Sequence, residues 1–191
     1  MTHRNQLFID GEFVDALDGA TVEVLNPHDC SIITHIAEGR QADIDRAVEA
    51  ASRAFPAWKK MMAAERGRLL LRLADALEAK AEEFAQLESL DTGHPIKDAR
   101  VLDVPRTAAC FRYFGGIADK VQGDIIPVDP GFLNYVQREP LGVVGAIVPW
   151  NFPLMFCAWK MGPALAAGNT VVIKPAEDTP LSALYLARLA R

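Results

Sequence analysis

The carboxyl-terminal segment of the chain, residues 141–191, alternates between β-strand and α-helix patterns. An apolar run at 143–148 predicts a buried strand and precedes a helical stretch at about 153–167. A second strand pattern at 170–173 precedes another helix. This β-α-β-α order implies parallel strands joined by right-handed crossovers. Sheets of this kind bind ligands on the loops that leave the carboxyl ends of their strands. The sequence therefore predicts an α/β fold with a ligand site on two loops.

Turn residues divide the remaining strand patterns into hairpins. Asp10-Gly11 favours a tight turn within residues 6–14, and residues 21–25 have the pattern of a further strand. Two β-rich runs, 123–128 and 133–138, flank an Asp-Pro-Gly turn. The simplest interpretation of the second pair is an antiparallel hairpin.

Three helices are expected between these strands. Apolar residues at helical spacing predict one helix from Asp43, ending near Pro56, and a single longer helix over about 70–87. Gly93 is suited to end the longer helix in a left-handed conformation. Asp103 is a suitable N-cap for the third helix, which has a proline in its first turn.

Composition excludes several classes of function. The chain carries 20 basic and 25 acidic side chains, a net charge of −5, and no basic block, so nucleic acid is a poor partner. The longest apolar stretch, 141–150, is too short for a membrane span and contains glycine and proline. The start lacks the apolar core of a signal peptide, and Cys30, Cys110 and Cys157 suit reduced thiols. We expect a cytoplasmic protein.

The first loop, Pro149-Trp150-Asn151-Phe152, carries a neutral amide between two aromatic residues. An amide NH₂ in a dry pocket can donate to an oxygen that becomes negative in a transition state, without gaining or losing a proton. Two structural alternatives stay open from the residues alone. Asn151 can simply cap the following helix, and Trp150 can belong to the core.

The second loop, Lys174-Pro175-Ala176-Glu177, places two charged groups three residues apart beyond a strand. Both can reach one polyhydroxylated ligand, such as a nucleotide ribose. A carboxylate accepts from a ribose 2′-hydroxyl and repels a 2′-phosphate, so Glu177 favours NAD over NADP. In the alternative interpretation, Lys174 and Glu177 form an ion pair on a solvated loop.

Other site patterns are weak or absent in this sequence. Neither G-x-G-x-x-G nor G-x-x-x-x-G-K-[ST] occurs, so the two common phosphate-binding glycine motifs give no support to a nucleotide site. His28, Cys30 and His35 lie close in sequence, but they lack a fourth ligand and a known zinc spacing. A structural role is the preferred interpretation of these three residues.

Three motifs in residues 139–180 stand in a characteristic order: P-W-N-F-P, A-L-A-A-G-N-T-V-V and K-P-A-E. Together they closely resemble the NAD(P)-dependent aldehyde dehydrogenase superfamily. The resemblance extends upstream through F-I-D-G-E-F, Asn26-Pro27 and L-E-S-L-D-T-G-H-P-I, so it covers nearly the whole chain. It implies an aldehyde dehydrogenase-like, Rossmann-type parallel sheet that is incomplete here, and a fold that binds pyrophosphate without the usual glycine motif.

The resemblance also assigns roles to individual residues. Asn151 matches the amide that stabilises the oxyanion of a thiohemiacetal, and the cofactor-binding residues are Ile147, Val148, Pro149, Trp150, Lys174, Pro175, Ala176 and Glu177. NAD is the implied cofactor, and a small-molecule aldehyde the implied substrate. We expect residues 1–122 to form the amino-terminal strands and helices of the cofactor-binding domain, and 141–191 the first β-α-β-α units of the NAD-binding domain. Residues 123–140 are expected to form an oligomerisation hairpin that serves a homo-oligomer.

The expected reaction needs a cysteine nucleophile and a glutamate that this chain does not match. In the family these residues lie downstream of Arg191, and none of the three cysteines stands in the G-Q-x-C setting of the nucleophile. The sequence therefore resembles an amino-terminal fragment without the catalytic domain, and we expect it to be inactive alone. The alternative is a non-catalytic assembly module that binds full-length relatives through its hairpin.

Overall fold

The amino-terminal strands form two separate antiparallel hairpins in the computed structural model, which describes residues 5–191. Strands β1 (Leu7–Ile9) and β2 (Glu12–Val14) pair across Asp10-Gly11, whose φ angles are 57° and 77°. This confirms the predicted turn. Strand β3 (Thr21–Leu25) pairs with β4 (Ile32–Ala37), a strand that the sequence pattern did not reveal.

Helix α1 extends over Gln41–Lys60, so the prediction that Pro56 ends it was wrong. Pro56 is exposed, and the carbonyl that loses its helical partner there can turn to water. Beyond the proline, the Trp58 indole N–H donates to the Leu165 carbonyl at 3.2 Å. Tertiary contacts thus stabilise the last turn of α1 despite the proline.

The predicted long helix is two helices, α2 (Ala63–Ala79) and α3 (Ala81–Thr92). They meet at Lys80, whose φ and ψ of −115° and 20° interrupt the helix. The break lets α3 contact a different part of the molecule, since Leu87 packs with Val24 of β3 and Ile36 of β4. Gly93 follows α3 in the left-handed region, at φ 77°, as predicted.

The third helix begins earlier than predicted. A short helical turn, α4 (Ile96–Asp98), leads through a π-helical turn (Ala99–Asp103) into α5 (Val104–Ile117). Asp103 is the residue before α5, as predicted, but it has helical φ and ψ of −64° and −53° and makes no side-chain cap hydrogen bond, so the expected capping role was wrong. The wider π turn lies just before a proline, whose ring and missing N–H suit a regular helix poorly.

The hairpin over residues 123–138 is present with shorter strands than predicted. Strand β5 (Ile125–Ile126) pairs antiparallel with β6 (Asn134–Tyr135). Its apolar side chains face solvent, with Ile125 78% and Phe132 79% exposed. We refer to residues 123–138 as the apolar hairpin.

The carboxyl-terminal β-α-β-α unit is confirmed. Strand β7 (Val143–Ile147) pairs in parallel with β8 (Thr170–Lys174), and helices α6 (Pro153–Ala166) and α7 (Leu181–Leu189) follow them. The expectation that β7 is a buried strand was only partly right. Within residues 5–191 the β7–β8 sheet has two strands, so each strand has one unpaired edge, and Ile147 is 79% exposed.

The main core lies where α2, α3, α5 and α6 meet, with α7 against it. Its largest fully buried apolar side chains come from these five helices: Leu77, Phe84, Phe111, Val104, Leu154 and Leu186. Helix α6 is held at its carboxyl end, because the buried Arg66 side chain donates to the Ala166 carbonyl at 3.2 Å. The core therefore forms a platform for the unit that carries both predicted loops.

Helices α2 and α5 approach each other closely at a pair of glycines. A Cβ atom on Gly115 would lie 2.9 Å from the Gly67 carbonyl oxygen and 3.1 Å from Leu71 Cγ. The neighbouring Gly116 has no atom within 4 Å of its corresponding position. The helix contact thus requires glycine at 115 and tolerates a side chain at 116.

We predict that Gly115→Ala lowers the free energy of unfolding by about 1–3 kcal/mol, because the added methyl group forces the helix backbones apart. Gly116→Ala is the matched control, and its better helix propensity makes it neutral or stabilising by up to about 1 kcal/mol. Urea denaturation followed by circular dichroism measures both changes. Equal effects of the two substitutions would show that the close approach does not determine the packing.

Candidate functional site

The two predicted loops lie at the same edge of the β7–β8 sheet. Ile147 and Lys174 are register partners at the ends of the two parallel strands. The Val148 N–H donates to the Lys174 carbonyl at 3.1 Å, and the Thr179 hydroxyl donates to the Trp150 carbonyl at 3.1 Å. The second of these hydrogen bonds joins the loop after β8 to the loop after β7. The candidate site is therefore one structural unit formed by 147–152 and 174–179.

Asn151 is half-buried in the first loop and does not cap α6. The N-cap residue is Phe152, and no side chain makes a cap hydrogen bond there. The Asn151 amide has no hydrogen-bond partner among residues 5–191. The helix-cap interpretation is therefore wrong, and the amide N–H groups are available to a ligand.

The side chains beside Asn151 divide into exposed and buried ones. Ile147, Pro149 and Trp150 are exposed at the sheet edge, with Trp150 63% exposed, so the core interpretation of Trp150 is wrong. The Val148 side chain is buried in the main core, so it is not part of this exposed surface. The exposed apolar surface suits the flat ring of a nucleotide base or a nicotinamide.

The second loop holds a short ion pair. Lys174 Nζ lies 2.7 Å from Glu177 Oε1 and 3.2 Å from the Pro175 carbonyl oxygen. The hydrogen bond from Lys174 lowers the pKa of Glu177, so its carboxylate is ionised at neutral pH. Both charged groups are exposed, and the loop closes through a 3.3 Å hydrogen bond from the Thr179 N–H to the Ala176 carbonyl. This is the geometry of the ion-pair alternative, and it also leaves both groups within reach of one ligand.

Two buried carboxylates of α3 lie behind the loops. Glu88 Oε1 accepts from the Leu154 N–H at 3.4 Å, and Asp91 Oδ2 accepts from the Leu181 N–H at 2.8 Å. Burial raises the pKa of each carboxyl group to about 7, and for Glu88 the nearby Asp103 and Asp91 add to the increase. The pair was not predicted from the sequence, although acidic residues on the apolar face of a helix indicate such buried carboxylates.

A histidine and a third buried carboxylate complete this inner layer. His94 Nδ1 lies 2.8 Å from Asp103 Oδ2, and the His94 ring contacts the Phe152 ring edge-on at a centroid distance of 5.0 Å. Asp103 is fully buried. The residue directly after Asn151 thus packs against His94, which lies between α3 and α4 and contacts the last residue of the π-helical turn.

The cysteines of this chain do not resemble activated nucleophiles. Burial and the neighbouring Glu88 raise the pKa of the Cys157 thiol to about 12, and burial raises that of Cys110 to about 11. Both remain protonated at neutral pH, whereas the thiolate is the reactive form. Cys30 is exposed in the turn before β4, away from both loops in sequence.

No metal centre is formed by the part of the chain that the structure describes. Residues 5–191 contain no group of three or more histidine, cysteine or acidic side chains arranged to hold an ion. His35 instead lies 3.7 Å from Glu23 on the neighbouring strand. Among the helices of the same residues, none has the length and apolar character needed to cross a membrane.

Comparison with known proteins gives consistent matches. A sequence model described as "Aldehyde dehydrogenase family" matches residues 13–191. A mitochondrial aldehyde dehydrogenase of Arabidopsis thaliana, family 2 member B4, is 50% identical over 96% of this chain and 35% of that protein. The chain spans somewhat more than a third of the length of the relatives it matches.

Solved structures agree with this result. A structure of PnpE in complex with nicotinamide adenine dinucleotide is 70% identical, with a TM-score of 0.96 over 98% of this chain and 38% of that one. An NAD⁺ complex of aldehyde dehydrogenase from Bacillus cereus is 48% identical, with a TM-score of 0.95 over 97% of this chain and 38% of that one.

Proposed function

Because this chain belongs to the aldehyde dehydrogenase family, we propose that the protein oxidises a small-molecule aldehyde to a carboxylic acid with NAD as cofactor. The observation that carries the proposal is the unpartnered Asn151 amide, which lies beside the Lys174–Glu177 loop at one sheet edge. The first group suits a developing oxyanion and the second suits a ribose. Two relatives that are structurally close to this chain are NAD complexes, which supports the choice of cofactor.

Asn151 contributes to the addition step of this reaction. A thiolate that attacks an aldehyde carbon turns the carbonyl oxygen into an oxyanion, and the Asn151 NH₂ group donates a hydrogen bond to it. Since Cys110 and Cys157 are protonated at neutral pH, we place the thiolate in the part of the relatives' length that this chain does not span. We place the base that activates the hydrolytic water there as well.

The second loop contributes to cofactor binding. NAD supplies the hydride acceptor when it is bound. Lys174 and Glu177 are exposed and adjacent, so both can hydrogen-bond the hydroxyl groups of one ribose. Ile147 and Trp150 offer apolar surface at the same edge, and Pro149, Pro175 and Ala176 shape the two loops. Val148 contributes through its backbone.

The apolar hairpin supports a second proposal, that this segment mediates assembly with another copy of the chain. Six of its large apolar side chains are at least 42% exposed: Ile125, Ile126, Val128, Phe132, Leu133 and Tyr135. An exposed patch of this kind, on a hairpin with free strand edges, favours burial against a like surface. The same surface fits the alternative function, a non-catalytic module that binds full-length relatives. Reading the gene beyond the Arg191 codon distinguishes an enzyme from a non-catalytic module, because only an enzyme needs a continuation that carries the nucleophile.

We predict that Asn151→Ala lowers kcat by about 10²- to 10³-fold in the protein expressed from its own gene, as loss of one oxyanion donor does in other enzymes. NADH formation from a panel of aldehydes at 340 nm measures the rate, and NAD titration should show an almost unchanged Kd. A lower melting temperature with an unchanged rate of acylation would contradict the oxyanion role.

We predict that Glu177→Gln relaxes the preference for NAD, mainly through tighter binding of NADP. The carboxylate accepts from a ribose 2′-hydroxyl, but it repels a 2′-phosphate of about −1.5 to −2 charge. Asp178→Asn is the matched control, since it removes one exposed negative charge from the same loop. Isothermal titration with both cofactors measures the ratio of affinities. Equal changes in the two variants would mean that Glu177 acts only through the overall charge of the loop.

We predict that Ile125→Asp combined with Phe132→Asp shifts the protein to a smaller assembly, because charged groups on the apolar hairpin resist burial. Val101→Asp is the control, an exposed apolar residue of the π-helical turn outside the hairpin. Sedimentation velocity over a concentration series measures the distribution. A double variant that has the same sedimentation coefficient distribution as the wild type would contradict the assembly role.

A further inference from the structure

Helix α3 places two carboxylates beneath the helices that leave the candidate site. Glu88 and Asp91 lie one turn apart on α3, at exposures of 0% and 1%. Glu88 accepts from the N–H of Leu154 in the first turn of α6, and Asp91 accepts from that of Leu181 in the first turn of α7. One face of a single helix therefore contacts the start of both helices.

These carboxylates act where caps from the neighbouring sequence are missing. The first N–H groups of a helix have no partner within the helix, and a serine or aspartate just before the helix usually supplies one. The N-cap residues here are Phe152 and Pro180, and neither helix has a side-chain cap hydrogen bond. Glu88 and Asp91 supply the missing acceptors from a distant part of the chain.

The loop that carries Asn151 is held at a second point. Phe152, between Asn151 and α6, packs against the His94 ring, and His94 Nδ1 lies 2.8 Å from Asp103 Oδ2. Asn151 stands three residues before Leu154, so a shift of the first turn of α6 moves the amide with it. The Thr179 to Trp150 hydrogen bond couples the loop after β8 to the same point.

We propose that Glu88 is a positioning residue for the Asn151 amide and Asp91 a positioning residue for the Lys174–Glu177 loop, so that α3 sets the spacing between them. The proposal rests on the proposed function of the two loops. It assigns separable effects to two neighbouring carboxylates. Loss of the Glu88 contact displaces the oxyanion donor, whereas loss of the Asp91 contact displaces the cofactor loop.

The chemistry of the new side chain at position 88 determines the kcat expected for each variant. Glu88→Gln keeps an acceptor oxygen at the same reach, so it should retain most of the wild-type kcat. Glu88→Ala removes the acceptor, and Glu88→Asp shortens its reach by one methylene group while keeping the charge. We expect both to lower kcat by about 10- to 100-fold, the scale of a misplacement near 1 Å. The KM for NAD should change less than about twofold.

Asp91 variants should show the opposite result, a large effect on NAD affinity and a small effect on kcat. Asp91→Ala should raise the Kd for NAD by about tenfold, on the same scale of misplacement, and change kcat less than about threefold. Asp91→Asn should recover much of the affinity because it keeps an acceptor oxygen. Glu82→Ala is the matched control on α3, since Glu82 is exposed and pairs with Arg100. It should leave both parameters unchanged.

Hydrogen exchange followed by mass spectrometry tests the contacts without any activity. In the protein expressed from its own gene, Glu88→Ala and Glu88→Asp should speed exchange in peptides covering 152–157 and not in peptides of α2. Asp91→Ala should speed exchange in peptides covering 180–186. If the alanine variant at 88 fails to fold, the aspartate variant carries the same comparison.

Two results would overturn the proposal. One is a parallel loss of kcat, cofactor affinity and melting temperature at both positions, which marks a purely structural role. The other is unchanged exchange at the start of α6 and α7. Failure of the proposed function is seen separately, because a wild-type protein that neither binds NAD nor oxidises aldehydes would still show the local exchange changes.

Discussion

Parallel pairing of β7 with β8 is the constraint on which the rest of the structure depends. Since both strands point the same way, the loops that leave them must emerge at one edge, and the Ile147–Lys174 register places them level there. The chain must then return from the end of β7 to the start of β8 through a connecting helix, α6, and this helix packs into the core. The Trp58 and Arg66 side chains hold the carboxyl end of α6, and Glu88 holds its amino end. The position of Asn151 thus follows from how α6 is anchored at both ends.

The amino-terminal half of the chain contributes to the site through these anchors. Helices α2 and α5 meet without intervening side chains at Gly67 and Gly115, which brings the main core close together. Helix α3 begins after the interruption at Lys80, contributes Phe84 to this core and contacts the starts of α6 and α7. The interruption at Lys80, which the apolar spacing of the sequence did not indicate, therefore determines which side chains of α3 contact the helices after the two loops. Had α2 and α3 continued as one helix, Glu88 and Asp91 would lie elsewhere.

Local patterns predicted the elements that local physics controls. Asp10-Gly11 and Gly93 were predicted correctly because the tolerance of positive φ angles is a property of the residue type. The β-α-β-α unit was predicted correctly because its apolar residues follow the strand and helix patterns clearly. The errors at Pro56 and Lys80 share another cause, since the residues beyond each of them contact residues far along the chain. At Asp103 the carboxylate contacts His94, nine residues earlier, and makes no cap hydrogen bond to α5. The site divides in the same way. Its two loops were visible as motifs, but the carboxylates behind them act on helices more than 60 residues away.

The buried carboxylates show that this arrangement favours position over maximal stability. Two leucines at 88 and 91 would avoid the desolvation of acidic groups, and the raised pKa values of about 7 reflect that unfavourable burial. Leucines would fill the same space, but they would leave the first N–H groups of α6 and α7 without acceptors, and apolar contacts do not define a direction. A hydrogen bond to a helix start does, because it sets both a distance and an angle. An oxyanion donor needs that directional control, since its effect depends on where the negative charge develops in the transition state.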